Sequence, residues 1–183
     1  MRKLSREFYN RDAATVAKSL LGHHLIHCSQ GIEMIGKIIE IEAYLGQNDL
    51  ASHSSKGQTK RTEVMFGPPG FAYVYLIYVM YHCFNVVSDS EGIGAAVLIR
   101  AIEPIQNITG RTQGPGLLCK AMKLDRELNG HDLLSDDLYI TDEGYMPPHK
   151  VVETPRIGIH YAKDWVDKPL RFYIQDNPFV SKT

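Results

Sequence analysis

Residues 25–46, LIHCSQGIEMIGKIIEIEAYLG, contain the pattern on which the fold depends. Two apolar runs, Leu25–Cys28 and Glu33–Ala43, are separated by Ser29-Gln30-Gly31, and residues of these types commonly connect the strands of a β-hairpin. The end of the second run alternates between isoleucine and glutamate, which is typical of a strand with two different faces. We therefore predict two strands joined as a hairpin.

The elements around this hairpin are short, and most of them are strands. Residues 5–21 have apolar residues at helical spacing, with Asp12 as a candidate N-cap. Residues 46–70 and 129–149 are predicted as loops. The other predicted elements are strands over 71–87 (one or two), 95–101 (ending near Pro104), 156–159 and 170–174, and a short helix over 117–124. Many strands with few helices between them indicate one α+β domain, residues 1–183, around a mainly antiparallel sheet.

Composition restricts the class of protein. The 183 residues are 44% hydrophobic and carry a net charge of −1, which excludes disorder and a DNA binder recognisable from its pI alone. No apolar run approaches the roughly 20 residues of a membrane-spanning helix, and no signal peptide is recognisable. The widely spaced Cys28, Cys83 and Cys119 argue against a disulfide framework. We expect a cytoplasmic protein with no membrane partner.

The segment Ile38–Tyr44 contains the first candidate for chemistry. Strand alternation places Glu40, Glu42 and Tyr44 on one face. From the pattern alone, a solvated carboxylate face is the more common arrangement in an antiparallel sheet. The alternative is that Glu42, at a strand end beside a long polar loop, acts as a general base on water.

Aromatic residues are concentrated between positions 71 and 81. The four tyrosines there cannot all be buried in the core, because each hydroxyl needs a hydrogen-bond partner or water. They form either an ordinary hairpin with exposed tyrosines or a platform on which nucleic-acid bases stack. His53, taken alone, is typical of a solvated loop histidine.

Sequence motifs for metal, nucleotide or serine chemistry are missing. The histidines 23, 24 and 27 with Cys28 do not make a standard zinc set, since adjacent His23 and His24 point to opposite faces of a strand. There is no glycine-rich phosphate loop, no Gly-x-Ser-x-Gly and no His-Glu-x-x-His. We expect neither a metal nor a cofactor.

Basic residues cluster in the long loop and around the short helix. The cluster members are Lys56, Lys60, Arg61, Arg111, Lys120, Lys123 and Arg126. A charge cluster is usually a solvated face. The alternative is a basic face that binds nucleic acid, and a molecule with such a face can also have a net charge of −1.

Seven short motifs, taken in chain order, resemble the alkyladenine (3-methyladenine) DNA glycosylase family. They are EIEAYLG at 40–46, ASHS at 51–54, TKR at 59–61 with MF at 65–66, YVYLIY at 73–78, LIRAIEP at 98–104, GPG at 114–116 and KPLRFY at 168–173. Each motif alone is weak evidence for the family, whereas seven motifs in the family's order are specific for it. The resemblance implies a curved sheet with flanking helices and a protruding β-hairpin.

The resemblance also implies an activity. It indicates a monofunctional base-excision repair enzyme that flips alkylated or deaminated purines out of double-stranded DNA. The implied lesions are 3-methyladenine, 7-methylguanine, hypoxanthine and ethenoadenine. A water activated by Glu42 would hydrolyse the N-glycosidic bond and leave an abasic site without strand cleavage. By default we expect a monomer, and in a bacterium a protein associated with the nucleoid.

Roles for individual residues follow from the same motifs. Arg100 and the main-chain carbonyl of Ile157 would help to hold the attacking water, and Tyr78 would fill the gap left in the DNA stack. The implied pocket for the extruded base consists of Tyr44, His53, Tyr75 and Asn85, the last standing where the family excludes the 2-amino group of guanine. The implied contacts to the DNA backbone are Thr59, Arg61, Lys120 and Arg126.

The sequence departs from the family at one position, and its pattern leaves two other functions open. Val79 follows Tyr78 where the family has glycine, and a β-branched residue resists positive φ, so we expect a wedge turn of another shape. A non-catalytic nucleic-acid-binding domain of the same fold would keep the tyrosines without depending on Glu42. A nucleoside or sugar hydrolase would use Glu40 and Glu42 as a carboxylate pair.

Overall fold

In the computed structural model, which describes residues 2–182, eight strands form one curved antiparallel sheet flanked by three short α-helices. The helices are α1 (Arg6–Tyr9), α2 (Ala13–Leu20) and α3 (Pro115–Ala121). The strands are β1 (His24–Ser29), β2 (Ile32–Tyr44), β3 (Ala72–Ile77), β4 (Tyr81–Ser88), β5 (Ala95–Gln106), β6 (Leu138–Thr141), β7 (Val151–Thr154) and β8 (Arg171–Ile174). Single turns of 3₁₀ helix occur at His53–Lys56, Glu63–Phe66, Arg126–Leu128 and Lys163–Trp165.

The long strand β2 lies in the middle of the sheet. The order of strands is β3-β4-β5-β2-β1-β6, and β8 pairs with both β2 and β7. Glu40 and Glu42 on β2 pair with β5 along one edge and with β8 along the other. The carboxylate-bearing end of β2 is therefore enclosed by strands on both edges.

The predicted hairpin of β1 and β2 is confirmed. Ser29 pairs with Ile32, so Gln30 and Gly31 form a two-residue turn with φ values of 52° and 75°. Positive φ at both positions is the geometry of a type I′ turn, whose twist matches that of the flanking strands. Glycine adopts it without steric cost, which explains the residue at position 31.

The N-terminal helical segment is divided in two. The helical character predicted for 5–21 is confirmed in two pieces, since α1 ends at Tyr9 and α2 begins at Ala13. The division arises at Asp12, which is the predicted N-cap of α2 and accepts a hydrogen bond from the Thr15 amide at 3.0 Å. Helix α2 packs its apolar face on β2 and β5. Within residues 2–182, no helix has the length and apolar character needed to cross a membrane.

Three other predicted boundaries are corrected. The strand predicted at 95–101 continues through Pro104, which lies opposite Gly36 next to a break in the β2–β5 register. The predicted loop 129–149 contains the buried strand β6, which pairs with β1. The helix predicted at 117–124 starts two residues earlier, at Pro115, and ends at Ala121, with Lys120 and Lys123 exposed as expected.

The strand predicted at 156–159 is wrong. β7 ends at Thr154, one residue before Pro155, which cannot donate to a strand ladder. The side chain of Arg156 is fully buried in an ion pair with Asp49, which directs the chain away from the sheet. This segment becomes an irregular wall of a cavity instead.

The β3–β4 hairpin protrudes and ends in three exposed apolar residues. Tyr78, Val79 and Met80 are 81%, 90% and 69% exposed. Tyr78 and Val79 have φ values of 52° and 64°. The expectation that Val79 avoids positive φ is wrong. Ile77 pairs with Tyr81, and the three-residue connection between them holds Val79 in a strained conformation.

Replacing Val79 by glycine tests this strain. A β-branched residue in the left-handed region is penalised relative to glycine by about 1–2 kcal/mol, partly offset by the greater freedom of glycine in the unfolded chain. We expect Val79→Gly to raise the unfolding free energy by up to about 1 kcal/mol and Tm by about 2–4 °C, measured by calorimetry. Met80→Gly, at a neighbour whose φ is not positive, serves as the control and should lower Tm. A Val79→Gly variant less stable than wild type would contradict the strain.

Candidate active site

A cavity of about 450 Å³ opens beside the β3–β4 hairpin. It lies between the end of β2, the loop around His53, strands β3 to β5 and the segment after Arg156. Its lining includes Tyr44, His53, Tyr75, Tyr78, Asn85, Arg100, Ile157 and Tyr161. All four predicted base-pocket residues and both predicted water-holding residues therefore meet around one cavity.

Glu42 lies directly behind this wall with no exposed surface. Its Oε2 accepts a hydrogen bond from the Tyr44 hydroxyl at 2.7 Å, and its Oε1 accepts one from the Ile157 amide at 2.8 Å. Arg100 Nη1 lies 3.4 Å from Oε1. Glu42 does not itself line the cavity, whereas all three of its partners do. Three donors from three different parts of the chain therefore converge on one carboxyl group.

A solvated carboxylate face on β2 is therefore wrong. Glu40 is also fully buried, and its Oε1 accepts hydrogen bonds from Arg100 Nε at 3.2 Å and Arg171 Nη1 at 2.9 Å. Both carboxylates are enclosed because β5 and β8 flank this end of β2. Glu40 is saturated with donors and does not line the cavity, which disfavours a hydrolase that uses the two carboxylates as a reacting pair.

His53 and the tyrosines form the aromatic side of the cavity. The rings of His53 and Tyr75 lie 4.6 Å apart at 60°, and His53 Nδ1 is 3.0 Å from the Tyr73 hydroxyl. Burial, with a smaller contribution from the nearby Arg61 guanidinium, lowers the pKa of His53 to about 4. His53 is thus half-buried and neutral at physiological pH, unlike a solvated loop histidine. Burial raises the pKa of the Tyr73 hydroxyl to about 12.

Asn85 and Tyr78 occupy the wall and the mouth of the cavity. Asn85 is buried and donates from Nδ2 to the Tyr73 carbonyl at 3.1 Å, which orients its side-chain amide. Tyr78 belongs to both the cavity lining and the exposed hairpin tip. An aromatic side chain that projects from the mouth is well placed to contact a large ligand outside it.

The four residues predicted to contact the DNA backbone are all exposed. Arg61 stacks over the Tyr75 ring, with 5.6 Å from its guanidinium carbon to the ring centroid, at the cavity. Lys120 borders a second hollow of about 310 Å³ together with Met80 and Tyr81 of the hairpin. Thr59 makes hydrogen bonds within its own turn, and Arg126 begins a 3₁₀ helix, with no contact to the cavity.

Sequence reasoning missed a buried ion pair that supports this site. Arg156 donates to Asp49 through Nη1 at 2.6 Å and Nη2 at 2.9 Å, and through Nη1 to the Ala43 carbonyl at 2.9 Å. Its guanidinium stacks over the ring of Tyr44 at 4.8 Å. Since Ile157 follows directly, this pair fixes two of the three donors to Glu42. The one sequence feature that could have indicated this pair is the position of Arg156 next to Ile157, a residue already assigned to the site.

Tyr161 was also missed at the rim. It is 65% exposed and donates from its hydroxyl to the Ala51 carbonyl at 3.2 Å. It connects the two loops that form one side of the cavity. Among residues 2–182 no three His, Cys, Asp or Glu side chains come together as a metal site would require.

Comparisons with known proteins match almost the whole chain. A family model described as methylpurine-DNA glycosylase matches residues 7–178. A protein of Legionella pneumophila (strain Corby) named "Putative 3-methyladenine DNA glycosylase" is 63% identical over 183 residues, the full length of both chains. A relative with the same name from Myxococcus xanthus is 49% identical over 100% of this chain and 95% of its own length. Another, from Alkaliphilus oremlandii, is 45% identical over 98% of this chain and 99% of its own length.

The Asp49–Arg156 pair predicts a large stability effect. Asp49→Asn leaves the guanidinium buried without its counter-charge, and removing one partner of a buried pair costs about 3–5 kcal/mol. We expect a loss of this size in urea unfolding. The control is Asp136→Asn, because Asp136 contacts Lys3 with a fully exposed side chain, and little change is expected there. Equal losses of unfolding free energy in the two variants would show that the buried pair stabilises the fold no more than the exposed one.

His53 predicts a pH dependence of stability. With its pKa at about 4 in the folded state and near 6.5 in the unfolded chain, the unfolded state binds more protons between these values. Stability contributed by neutral His53 is therefore lost as pH falls from about 6.5 towards 4. We expect His53→Gln to lose less unfolding free energy than wild type between pH 7 and pH 5. His160→Gln, at an exposed position, should retain the wild-type decrease, and an unchanged decrease in His53→Gln would refute the assignment.

Proposed function

This chain belongs to the methylpurine-DNA glycosylase family, and we propose that it excises alkylated purines from duplex DNA by hydrolysis at the N-glycosidic bond. The observation that carries the proposal is the arrangement of Glu42, buried behind the cavity wall with three donors that line the cavity. A damaged base that leaves the helix would enter the cavity, whose volume is in the range of small-molecule sites.

The aromatic wall suits a cationic base. Purines alkylated at N3 or N7 carry a positive charge, and π-faces attract cations that lie over them. The rings of Tyr44, His53 and Tyr75 supply such faces. His53 is neutral above a pH of about 4, so it can contact a cationic base without repelling it.

Glu42 would act on water and on the charge of the sugar. An alkylated purine is already a good leaving group and needs little help from an acid. What is left is to place a water opposite the departing base and to stabilise the positive charge that develops on the sugar, and an ionised carboxylate serves both purposes. In this proposal Arg100 and the main-chain carbonyl of Ile157 help to hold that water.

The same chemistry defines the product and the order of substrates. A neutral lesion such as hypoxanthine must be protonated as it departs, so we propose that it is released more slowly than 7-methylguanine. No lysine is found among the residues of the described chain that line the cavity, and a Schiff base with the sugar needs an amine. An abasic site with an intact strand is the proposed product.

The hairpin tip would replace the missing base. Tyr78 projects from the cavity mouth beside the exposed Val79 and Met80, and an apolar wedge between base steps is a common way to hold a duplex open. Arg61 at the cavity and Lys120 beside the hairpin would contact backbone phosphates. Asn85, oriented by its bond to the Tyr73 carbonyl, would oppose the 2-amino group of guanine, and for 7-methylguanine the contacts of the cationic base with the aromatic wall would offset that cost.

Single-turnover base release tests the proposed function. With duplexes that carry 7-methylguanine or hypoxanthine, wild type should release the base, and Glu42→Gln should release it at least ~100-fold more slowly while still binding the duplex. Glu153→Gln makes the same chemical change in a half-exposed ion pair with Lys18 and should release at the wild-type rate. Release that is indifferent to Glu42 would discard the mechanism. Tight binding without release from either duplex would indicate a non-catalytic DNA-binding domain.

A further inference from the structure

The buried carboxylate of Glu40 has more partners than a structural ion pair needs. Besides Arg100 and Arg171, it accepts two hydrogen bonds from Ser181, to Oε1 from the hydroxyl at 2.8 Å and to Oε2 from the main-chain amide at 2.6 Å. Both of its oxygens are therefore occupied by donors from three separate parts of the chain. Glu40 has no exposed surface and no contact with the cavity.

The C-terminal segment is fastened to this carboxylate. Arg171 Nη1 donates to Glu40 and also to the Lys182 carbonyl at 2.7 Å, while its Nε donates to the Pro155 carbonyl at 3.2 Å. Pro155 stands just before Arg156 and Ile157, and the Ile157 amide donates to Glu42 from the other side. Glu40, Arg171 and Ser181 thus connect the end of the chain to the back of the site.

Arg100 is the link between the two carboxylates. Its Nε donates to Glu40 and its Nη1 faces Glu42, so one guanidinium contacts both carboxylates. A guanidinium is planar, and fixing one edge fixes the direction of the others. Glu40 therefore determines where the Nη1 donor of Arg100 lies.

We propose that Glu40, completed by Ser181, is a positioning residue of the glycosylase reaction: it directs Arg100 at Glu42 and keeps the buried charges in balance. The inference rests on the function proposed above. Glu40 and Glu42 carry two negative charges, and Arg100 and Arg171 carry two positive ones, so the cluster is neutral. The adjoining Asp49–Arg156 pair is neutral by itself. Removing the charge of Glu40 leaves one uncompensated positive charge behind the cavity wall.

This charge has a consequence that a purely structural role lacks. An additional positive charge opposes a cationic base more than a neutral one, because Coulomb repulsion acts on the net charge of the ligand. Glu40→Gln should therefore impair 7-methylguanine release more than hypoxanthine release. A loss of packing or of correct folding would reduce both rates by the same factor.

The test measures single-turnover release of both bases at enzyme concentrations below saturation, where the observed rate includes entry of the base into the cavity. For Glu40→Gln we expect the ratio of the 7-methylguanine rate to the hypoxanthine rate to fall on the order of tenfold, equivalent to about 1.4 kcal/mol. Arg171→Gln leaves the cluster with a net negative charge and should move the ratio in the opposite direction. Glu153→Gln, in its half-exposed pair, should leave both rates unchanged.

Two results would overturn the proposal. One is a folded Glu40→Gln that keeps the wild-type ratio, and the other is a shift in the same direction for Glu40→Gln and Arg171→Gln. If Glu42→Gln loses release as expected and the ratio does not move, only the role of Glu40 fails. If wild type releases no base, the proposed function fails and the role of Glu40 fails with it.

Ser181 provides a milder variant in case Glu40→Gln does not fold. Ser181→Ala removes the hydroxyl that donates to Glu40 and keeps the main-chain amide. It should slow 7-methylguanine release by about threefold, within the effect of one hydrogen bond to a charged group, and Ser181→Thr should restore the rate. Equal rates for Ser181→Ala and wild type would overturn the proposal.

Discussion

Three side-chain carboxylates are fully buried within residues 2–182, and the cost of burying charge without a counter-charge is the constraint on which the rest of the structure depends. They are Glu40, Glu42 and Asp49, and they are matched by the buried guanidiniums of Arg100, Arg171 and Arg156. Breaking a buried pair costs far more than forming it gains. Each pair therefore acts as a requirement on the path of the chain: β5, β8 and the segment after β7 must all return to β2.

The same requirement arranges the donors around Glu42. Arg156 is fixed by Asp49, and the next residue, Ile157, presents its amide to Glu42. Tyr44 lies under the Arg156 guanidinium and directs its hydroxyl at the same carboxylate. Donors that are already oriented need no reorganisation when charge develops, and this preorganisation is a major part of electrostatic catalysis. The ion pairs that enforce the fold thus also provide the geometry of the site.

The parts of the fold that local signals decide were predictable from the sequence. The β1–β2 hairpin follows from alternation and from Gly31, and the order of seven motifs identified the family. The burial of Glu40 was not predictable, since its partners Arg100 and Arg171 lie 60 and 131 residues away. Alternation cannot distinguish a solvated glutamate from one compensated by a distant arginine. For the same reason 156–159 resembled a strand, although Arg156 directs its side chain to Asp49.

The neutrality of the charge cluster bears on how such a site could accelerate the proposed reaction. The positive charge of an alkylated base moves to the sugar as the bond breaks, so a strongly negative cavity would bind the ground state and the transition state alike. Binding both equally lowers KM without raising the rate of the chemical step. A neutral cluster that places one carboxylate, Glu42, behind the wall and a neutral ring, His53, on the base side avoids this outcome. The favourable charge then acts where the positive charge arrives and not where it starts.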